Sequence, residues 1–192
     1  MANPNIKIIG GEFSGQQLTK IPGHLELRPI LAQIKKSVFD ILTPRLPDCA
    51  FLDLFAGTGS VGIEALSRGA KHAVFVESSS DSIKMINNNL EKIKIKECAG
   101  VYQRDVTYSL QWLSAMLKEK YFDIIFQGPP YKAYLVNQVL KNIKEANLLK
   151  EGGVIVAQHH QTEKIDPAFF NIFRKEKYGD TIVTFLRQTE NI

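Results

Sequence analysis

Three carboxylates stand at the ends of three apolar runs. Asp53 lies at the end of Ala50–Leu54, Glu77 follows Ala73–Val76, and Asp105 follows Gly100–Gln103. Between the first two lies a small-residue stretch containing Gly57, Gly59 and Gly62, with Glu77 twenty positions after Gly57. The glycines fit G-x-G-x-x-G, the spacing that lets a loop approach a nucleotide closely. Asp53 argues against a dinucleotide, because a carboxylate four residues before Gly57 would stand close to its pyrophosphate and repel it. It suits a cation instead, such as the α-ammonium of S-adenosylmethionine. A carboxylate at Glu77 can accept both ribose hydroxyls through charge-assisted bonds, and Asp105 can accept from an adenine amine. Each has a plainer alternative. Asp53 and Asp105 can cap a loop or helix, and Glu77 can be an exposed strand-end acid. Three in succession along one sheet edge are more specific than any one.

A second constellation is Gly128-Pro129-Pro130-Tyr131, after the apolar run Phe122–Phe126. Two consecutive prolines donate no backbone hydrogen bond, so their carbonyls are held rigidly and can face a ligand. Tyr131 offers a ring on which a planar base can stack. Alone, the motif reads as a loop breaker with a core tyrosine. Its place at a strand end shared with the glycine loop favours chemistry. His159-His160 is read as a surface pair, not a metal site, because no third ligand has suitable spacing. Lys92–Lys96 is read as a solvated helix end.

These residues need a scaffold. Strand-length and helix-length apolar patterns alternate from Ala50 onward: strand 50–54, helix 60–68, strand 73–76, a helix through Ile83, Ile86, Leu90 and Ile93, and a strand at 100–103. A helix with Leu110, Leu113 and Leu117, strand 122–126, a helix with Leu135, Val139, Leu140 and Ile143, and strand 153–157 follow. Phe169–Phe173 and Thr181–Leu186 are strand-like around Tyr178-Gly179. The alternation predicts an α/β doubly wound, mostly parallel sheet ending in an antiparallel hairpin. Before it, residues 6–20 read as a β-hairpin and Ile30–Leu42 as a helix with Lys35 and Lys36 off its apolar stripe. The expected organisation is an N-terminal extension, 1–47, and a main domain, 48–192.

The 192 residues carry a net charge of +4. Six Lys/Arg face three Asp/Glu in residues 1–47, so +3 of that excess lies in the extension. This hints at a polyanionic partner, with Arg28, Lys35, Lys36 and Arg45 as phosphate contacts. Cys49 and Cys98 lack metal-ligand spacing and read as reduced thiols. No apolar run approaches the ~20 residues of a membrane span. A cytoplasmic monomer is the expectation.

The chain resembles the RsmD family, bacterial methyltransferases that modify a guanine N2 in small-subunit (16S) ribosomal RNA. The likeness covers nearly the whole chain: Ile8-Ile-Gly-Gly11, Arg28-Pro29, Asp53–Gly59, Glu64–Ala70, Val76-Glu77, Pro129-Pro-Tyr131 and Tyr178-Gly-Asp180. It implies a class I methyltransferase (Rossmann-like) fold and S-adenosylmethionine as cofactor, contacted by Asp53, Phe55, Gly57, Gly59, Glu77 and Asp105. It also puts Arg28 beside the cofactor's methionine end, and the target base at Gly128, Pro129, Pro130 and Tyr131. Some residues depart from the family pattern. Gly128 stands where Asp or Asn is usual, Ser14 replaces an arginine, Gln158 a glutamate, and Ala32–Lys36 an arginine-rich helix start. Gly128 supports an alternative, a catalytically weakened relative that binds cofactor or RNA. The literal glycine spacing supports a more remote one, a nicotinamide-dependent oxidoreductase.

Overall fold

The computed structural model describes residues 6–23, 25, 27–116 and 121–189. β1 (Ala50–Leu54) is buried along its whole length, and its neighbours are β2 (His72–Glu77) and β4 (Phe122–Gln127), both parallel to it. β3 (Ala99–Gln103) extends the parallel array beyond β2, and β5 (Leu149–His160) extends it beyond β4. The antiparallel pair β6 (Asn171–Tyr178) and β7 (Thr181–Arg187) completes a seven-stranded sheet in the order β3-β2-β1-β4-β5-β7-β6. Strand order reverses between β1 and β4. In an open parallel sheet the crevice outside the strand ends at such a point receives ligands. The helices are α1 (Ala32–Leu42), α2 (Ser60–Ser67), α3 (Ser80–Ile93), α4 (Gln111–Met116) and α5 (Val136–Glu145).

Two apolar layers sandwich the sheet. One joins Phe51, Phe75, Ile124, Phe126 and Val156 to α1, α2, α3 and to Ile6, Ile8 and Leu18 of the N-terminal segment. The other joins Leu52, Leu54, Val74, Val76, Ile125 and Ile155 to Leu110, Leu113 and the buried face of α5. Successive strand residues alternate between the layers, so Asp53 shares a face with Phe51, and Gly128 extends the face of Phe126. Phe39 and Phe51 stack with ring centroids 6.3 Å apart. Burying such side chains contributes about 1.5–3 kcal/mol each.

Local chemistry sets the helix ends. The Ser79 side chain accepts from the Ser82 N–H at 3.3 Å to start α3, and Lys94 ends it in the left-handed region (φ 62°). The first N–H of α5, from Val136, is received by Glu163 Oε1 at 2.8 Å, a cap supplied by the loop after β5.

Several elements depart from the expected boundaries. The N-terminal residues pair as a hairpin through Ile8 N–H to Gln16 O, Gly15 N–H to Ile8 O and Leu18 N–H to Ile6 O, but only as an isolated bridge at Lys7–Gln17. β5 starts four residues before the expected Gly153, because Leu149 already pairs with Phe122. β6 starts at Asn171, not Phe169, since Phe170 turns into the core. Leu117 lies outside the described residues.

Candidate active site

The glycine loop is held by the carboxylates beneath it. Glu77 Oε2 accepts the Gly57 N–H at 2.8 Å, while Oε1 accepts the N–H groups of Ser78 and Ser79 at 2.8 and 2.9 Å. Asp53 is 1% exposed, and its Oδ2 accepts the Gly62 N–H at 2.9 Å from the first turn of α2. Burial pushes the Asp53 carboxyl up to about 7, opposed by the Gly62 hydrogen bond and reinforced by the nearby charge of Glu77. Three residues of the turn are left-handed: Phe55 (φ 60°), Gly57 (φ 54°) and Gly59 (φ 75°). At Phe55, the one with a side chain, this conformation is sparsely populated and stores strain. A Cβ on Gly57 would meet nothing closer than 3.9 Å, so that glycine faces open space, whereas one on Gly62 would lie 2.3 Å from the Phe75 ring.

These contacts join Asp53, Gly57, Glu77 and Gly62 into one unit. Asp105 stands apart from it, exposed, two residues past Gln103, which pairs with Glu77. Its Oδ1 accepts from the Thr107 N–H and hydroxyl at 2.9 and 2.7 Å in a turn ahead of α4, whose first N–H goes to Ser109 Oγ at 3.2 Å, so Asp105 does not cap that helix. Gly128 N–H reaches Leu54 O at 3.5 Å, which sets the Pro-Pro-Tyr loop beside the exit of β1. Tyr131 is 41% exposed and touches the His160 ring edge-on.

Of the four basic residues assigned to phosphates, Lys35 needs correction. It is 2% exposed, with Nζ 3.1 Å from Glu64 Oε2 and 3.0 Å from Lys7 O. Positions 35, 38 and 42 share one helical stripe, so Lys35 faces inward with Val38 and Leu42. Glu64, fully buried, also accepts the N–H groups of Ile9 and Gly10 and the Arg68 Nε. Desolvation lowers the Lys35 pKa and the Glu64 charge opposes that shift. A lysine locked in such a cluster cannot reach RNA. Arg28 and Lys36 are exposed, Lys36 pairing with Asp40 at 2.6 Å. Arg45, also exposed, donates to Gly152 O at 2.8 Å.

Two features escaped the sequence reading. Gln127, the last residue of β4, is fully buried and neither Oε1 nor Nε2 has a partner among the described residues. A polar residue closing the apolar run Phe122–Phe126 was the available signal. The histidines also proved not to be a loose surface pair: each is 7% exposed and hydrogen-bonded, His159 to Thr184 and His160 to Thr162. A groove of about 430 Å³ lined by Ile143, Lys144, Phe169 and Phe170 opens where β5 begins, at the strand ends opposite the glycine loop, and among the described residues no carboxylate or histidine lines it.

Residues 6–187 match the family model described as "Conserved hypothetical protein 95", the RsmD family. The chain belongs to this family. Family membership leaves the nicotinamide reading without support. Among relatives, the Bacillus subtilis protein YlbH, named as an rRNA methyltransferase, is 34% identical over 95% of this chain and 99% of its own length. The Haemophilus influenzae ribosomal RNA small subunit methyltransferase D is 33% identical over 86% of this chain and 83% of its own. The crystal structure of a Haemophilus influenzae methylase, HI0767, superposes with a TM-score of 0.78 at 27% identity, covering 97% of this chain and all of that one. The fold is that of the class I methyltransferases, as the family resemblance implied. Among the described residues no helix is long and apolar enough to cross a membrane.

Proposed function

We propose that this chain is an RNA methyltransferase that moves a methyl group from S-adenosylmethionine to the exocyclic N2 amine of a guanine in small-subunit ribosomal RNA. The observation that carries the reading is the Gly128 N–H to Leu54 O contact, because it seats a rigid Pro-Pro-Tyr loop against the exit of the glycine-loop strand. The relatives named as ribosomal RNA methyltransferases support the substrate class.

The donor set fits the cofactor. Asp53 Oδ1 has no hydrogen-bond partner among the described residues and can take an ammonium. Glu77 Oε2, which takes the Gly57 N–H, has a second lone pair for a ribose hydroxyl, whereas Oε1 is filled by Ser78 and Ser79. Asp105 Oδ2 can accept from an adenine amine, and Gly57 opens the space above the loop. When bound, S-adenosylmethionine supplies an electrophilic methyl group on a sulfonium. The protein's contribution is then positioning, which can supply several kcal/mol of an in-line displacement. Tyr131 stacks the base, and the Pro129 carbonyl accepts from its amine. Exposed Arg28, Lys36 and Arg45 would hold phosphates, and Arg28 would also serve the cofactor's methionine end, as the family resemblance implies. Gly128 lends no side chain to this alignment.

Transfer of labelled methyl to small-subunit RNA or subunits lacking the modification, with N2-methylguanosine identified after digestion, tests the proposal. No incorporation by a protein that still binds the cofactor would reject it.

A further inference from the structure

We propose that His160 is a positioning residue that fixes the ring of Tyr131 for base stacking, and that Thr162 and Tyr134 hold His160 in place. The inference rests on reading the Pro-Pro-Tyr loop as the target-base site. His160 ends β5, nearly buried, and meets Tyr131 with ring centroids 4.9 Å apart and planes at 87°. A T-shaped contact restrains the tyrosine ring while leaving at least one of its faces for another aromatic system. Tyr131 remains partly exposed, so a face is open to an incoming base.

The His160 ring is itself set by a directional chain. Its Nδ1 receives the Thr162 N–H at 3.3 Å. A backbone N–H can only donate, so Nδ1 is the acceptor and the proton of the neutral ring sits on Nε2. The Thr162 hydroxyl, 2.7 Å from Nδ1, donates to it as well, and the Tyr134 hydroxyl donates in turn to Thr162 Oγ1 at 2.9 Å. His159 has the opposite tautomer, with Nδ1 donating to the His160 carbonyl at 3.1 Å and Nε2 accepting from Thr184 at 2.9 Å. One histidine of the pair faces the sheet, the other the loop.

The platform under this chain is tied at further points. Glu163 caps α5 at Val136, Asn137 Nδ2 donates to Lys164 O at 2.8 Å, and Asp166 N–H returns to Asn137 Oδ1 at 2.8 Å. Between the ties, Lys132 and Tyr134 sit in the left-handed region at φ 61° and 55°. Non-glycine residues stay there only when surrounding contacts impose it, and such strain gathers at ligand sites. The network terminates on exposed tyrosines instead of running into the core. Preordering Tyr131 removes part of the entropy lost when a base stacks on it.

Variants H160A, H160N, H160F and Y134F separate the parts, read by kcat and KM for RNA methylation, by cofactor affinity, and by the ¹⁹F signal of 3-fluorotyrosine placed at position 131. Asn keeps an acceptor for Thr162 without the ring; Phe keeps the ring without the acceptor. H160A and H160N are expected to lower kcat about 10–100-fold, the scale of a small misplacement at a reacting centre. Cofactor affinity is expected to stay unchanged and H160F to recover most of the loss. Y134F, a surface change, lowers kcat several-fold and moves the ¹⁹F signal in the same direction as H160A. A wild-type kcat in H160A, or H160F no better than H160A, overturns the proposal. So does a fluorine signal indifferent to H160A. If the wild type methylates no RNA, the functional reading falls, and the fluorine signal alone decides the brace: a shift in H160A supports it, and no shift overturns it.

Discussion

The two halves of the site are built by different means. At the β1–β2 exits, carboxylates and backbone N–H groups hold each other: Glu77 takes three N–H groups and Asp53 takes one from α2. At the β4–β5 exits the tyrosines of the Pro-Pro-Tyr loop are held through a histidine at the end of β5 and a threonine in the turn after it. The first half is made of main chain and fixed charge, so few substitutions elsewhere can alter it. The second depends on side chains about thirty residues apart, so it can lose catalytic precision while the fold stays intact. Gly128 and Gln127 both fall in that second half.

The sharpest test of the difference is Asp53→Asn, which probes the cost of the charge in the first half. The carboxyl pKa is about 7 in the folded protein against 3.8 for an ordinary aspartate. A raised acid pKa means the folded state keeps its proton where the unfolded chain has lost it, so Asp53 costs stability as pH rises from about 4 through 7. In cofactor-free protein the variant is expected to be more stable by about 2–4 kcal/mol at pH 8, with the gap closing toward pH 4. Cofactor affinity should fall in the same variant, because the ammonium loses its counter-charge. Denaturant melts across pH check the first part, and a pH-independent gap would show that Asp53 is not the titrating group.

Glu77→Ala follows in size. It strips three N–H groups of their acceptor, one belonging to Gly57, and removes the ribose partner. Charge-assisted bonds contribute about 1.5–3 kcal/mol each, so cofactor binding by calorimetry is expected to weaken by roughly 100-fold or more. An unchanged affinity would mean that the loop stands without its carboxylate, and the contrast drawn above would collapse.

Much of the first half was legible because its signals are local. The carboxylates, the glycines and the apolar run before them lie within a few dozen residues, and strand alternation fixed the sheet. What stayed hidden is long-range or contrary to type. Lys35 was assigned to solvent because it is charged, although its spacing from Val38 and Leu42 places it on the buried stripe. Its partner Glu64 gave no sign that a fully buried acid would collect Ile9, Gly10 and Arg68. The Tyr134–Thr162–His160 chain joins loops separated by about thirty residues, and periodicity says nothing about such meetings. The early start of β5 passes through Gly152 in the left-handed region (φ 73°), a turn-like signal that masked the strand.

In the second half, Gly128→Asp asks whether the missing acid limits turnover. The backbone there is not left-handed, and an added Cβ would lie 3.1 Å from Phe126 Cε1, so a small ring shift makes room. Supplying the aligning acceptor is expected to raise kcat by about 10–100-fold, within the range of a single transition-state hydrogen bond, with cofactor affinity unchanged. Equal turnover in both forms would show that the Pro129 carbonyl and Tyr131 suffice. A fall would show that this loop needs an uncharged entrance.

The smallest effect concerns stability at the neighbouring position. Gln127 is fully buried with both amide atoms unpartnered among the described residues, beside Leu54 and Ala157 in the sheet. A buried amide without partners forfeits its hydration with no return, at a cost of about 1–3 kcal/mol. Leucine has similar volume and no such loss, so Gln127→Leu is expected to stabilise the free protein by about 1–2 kcal/mol in denaturant titration. The same titration with saturating cofactor shows which half the residue serves. If the gain persists, Gln127 is a local cost borne by the β4 exit and the two halves are energetically separate. If the gain vanishes or reverses, the amide finds its partner in the loaded site, and the cofactor half reaches further along the sheet than its own carboxylates.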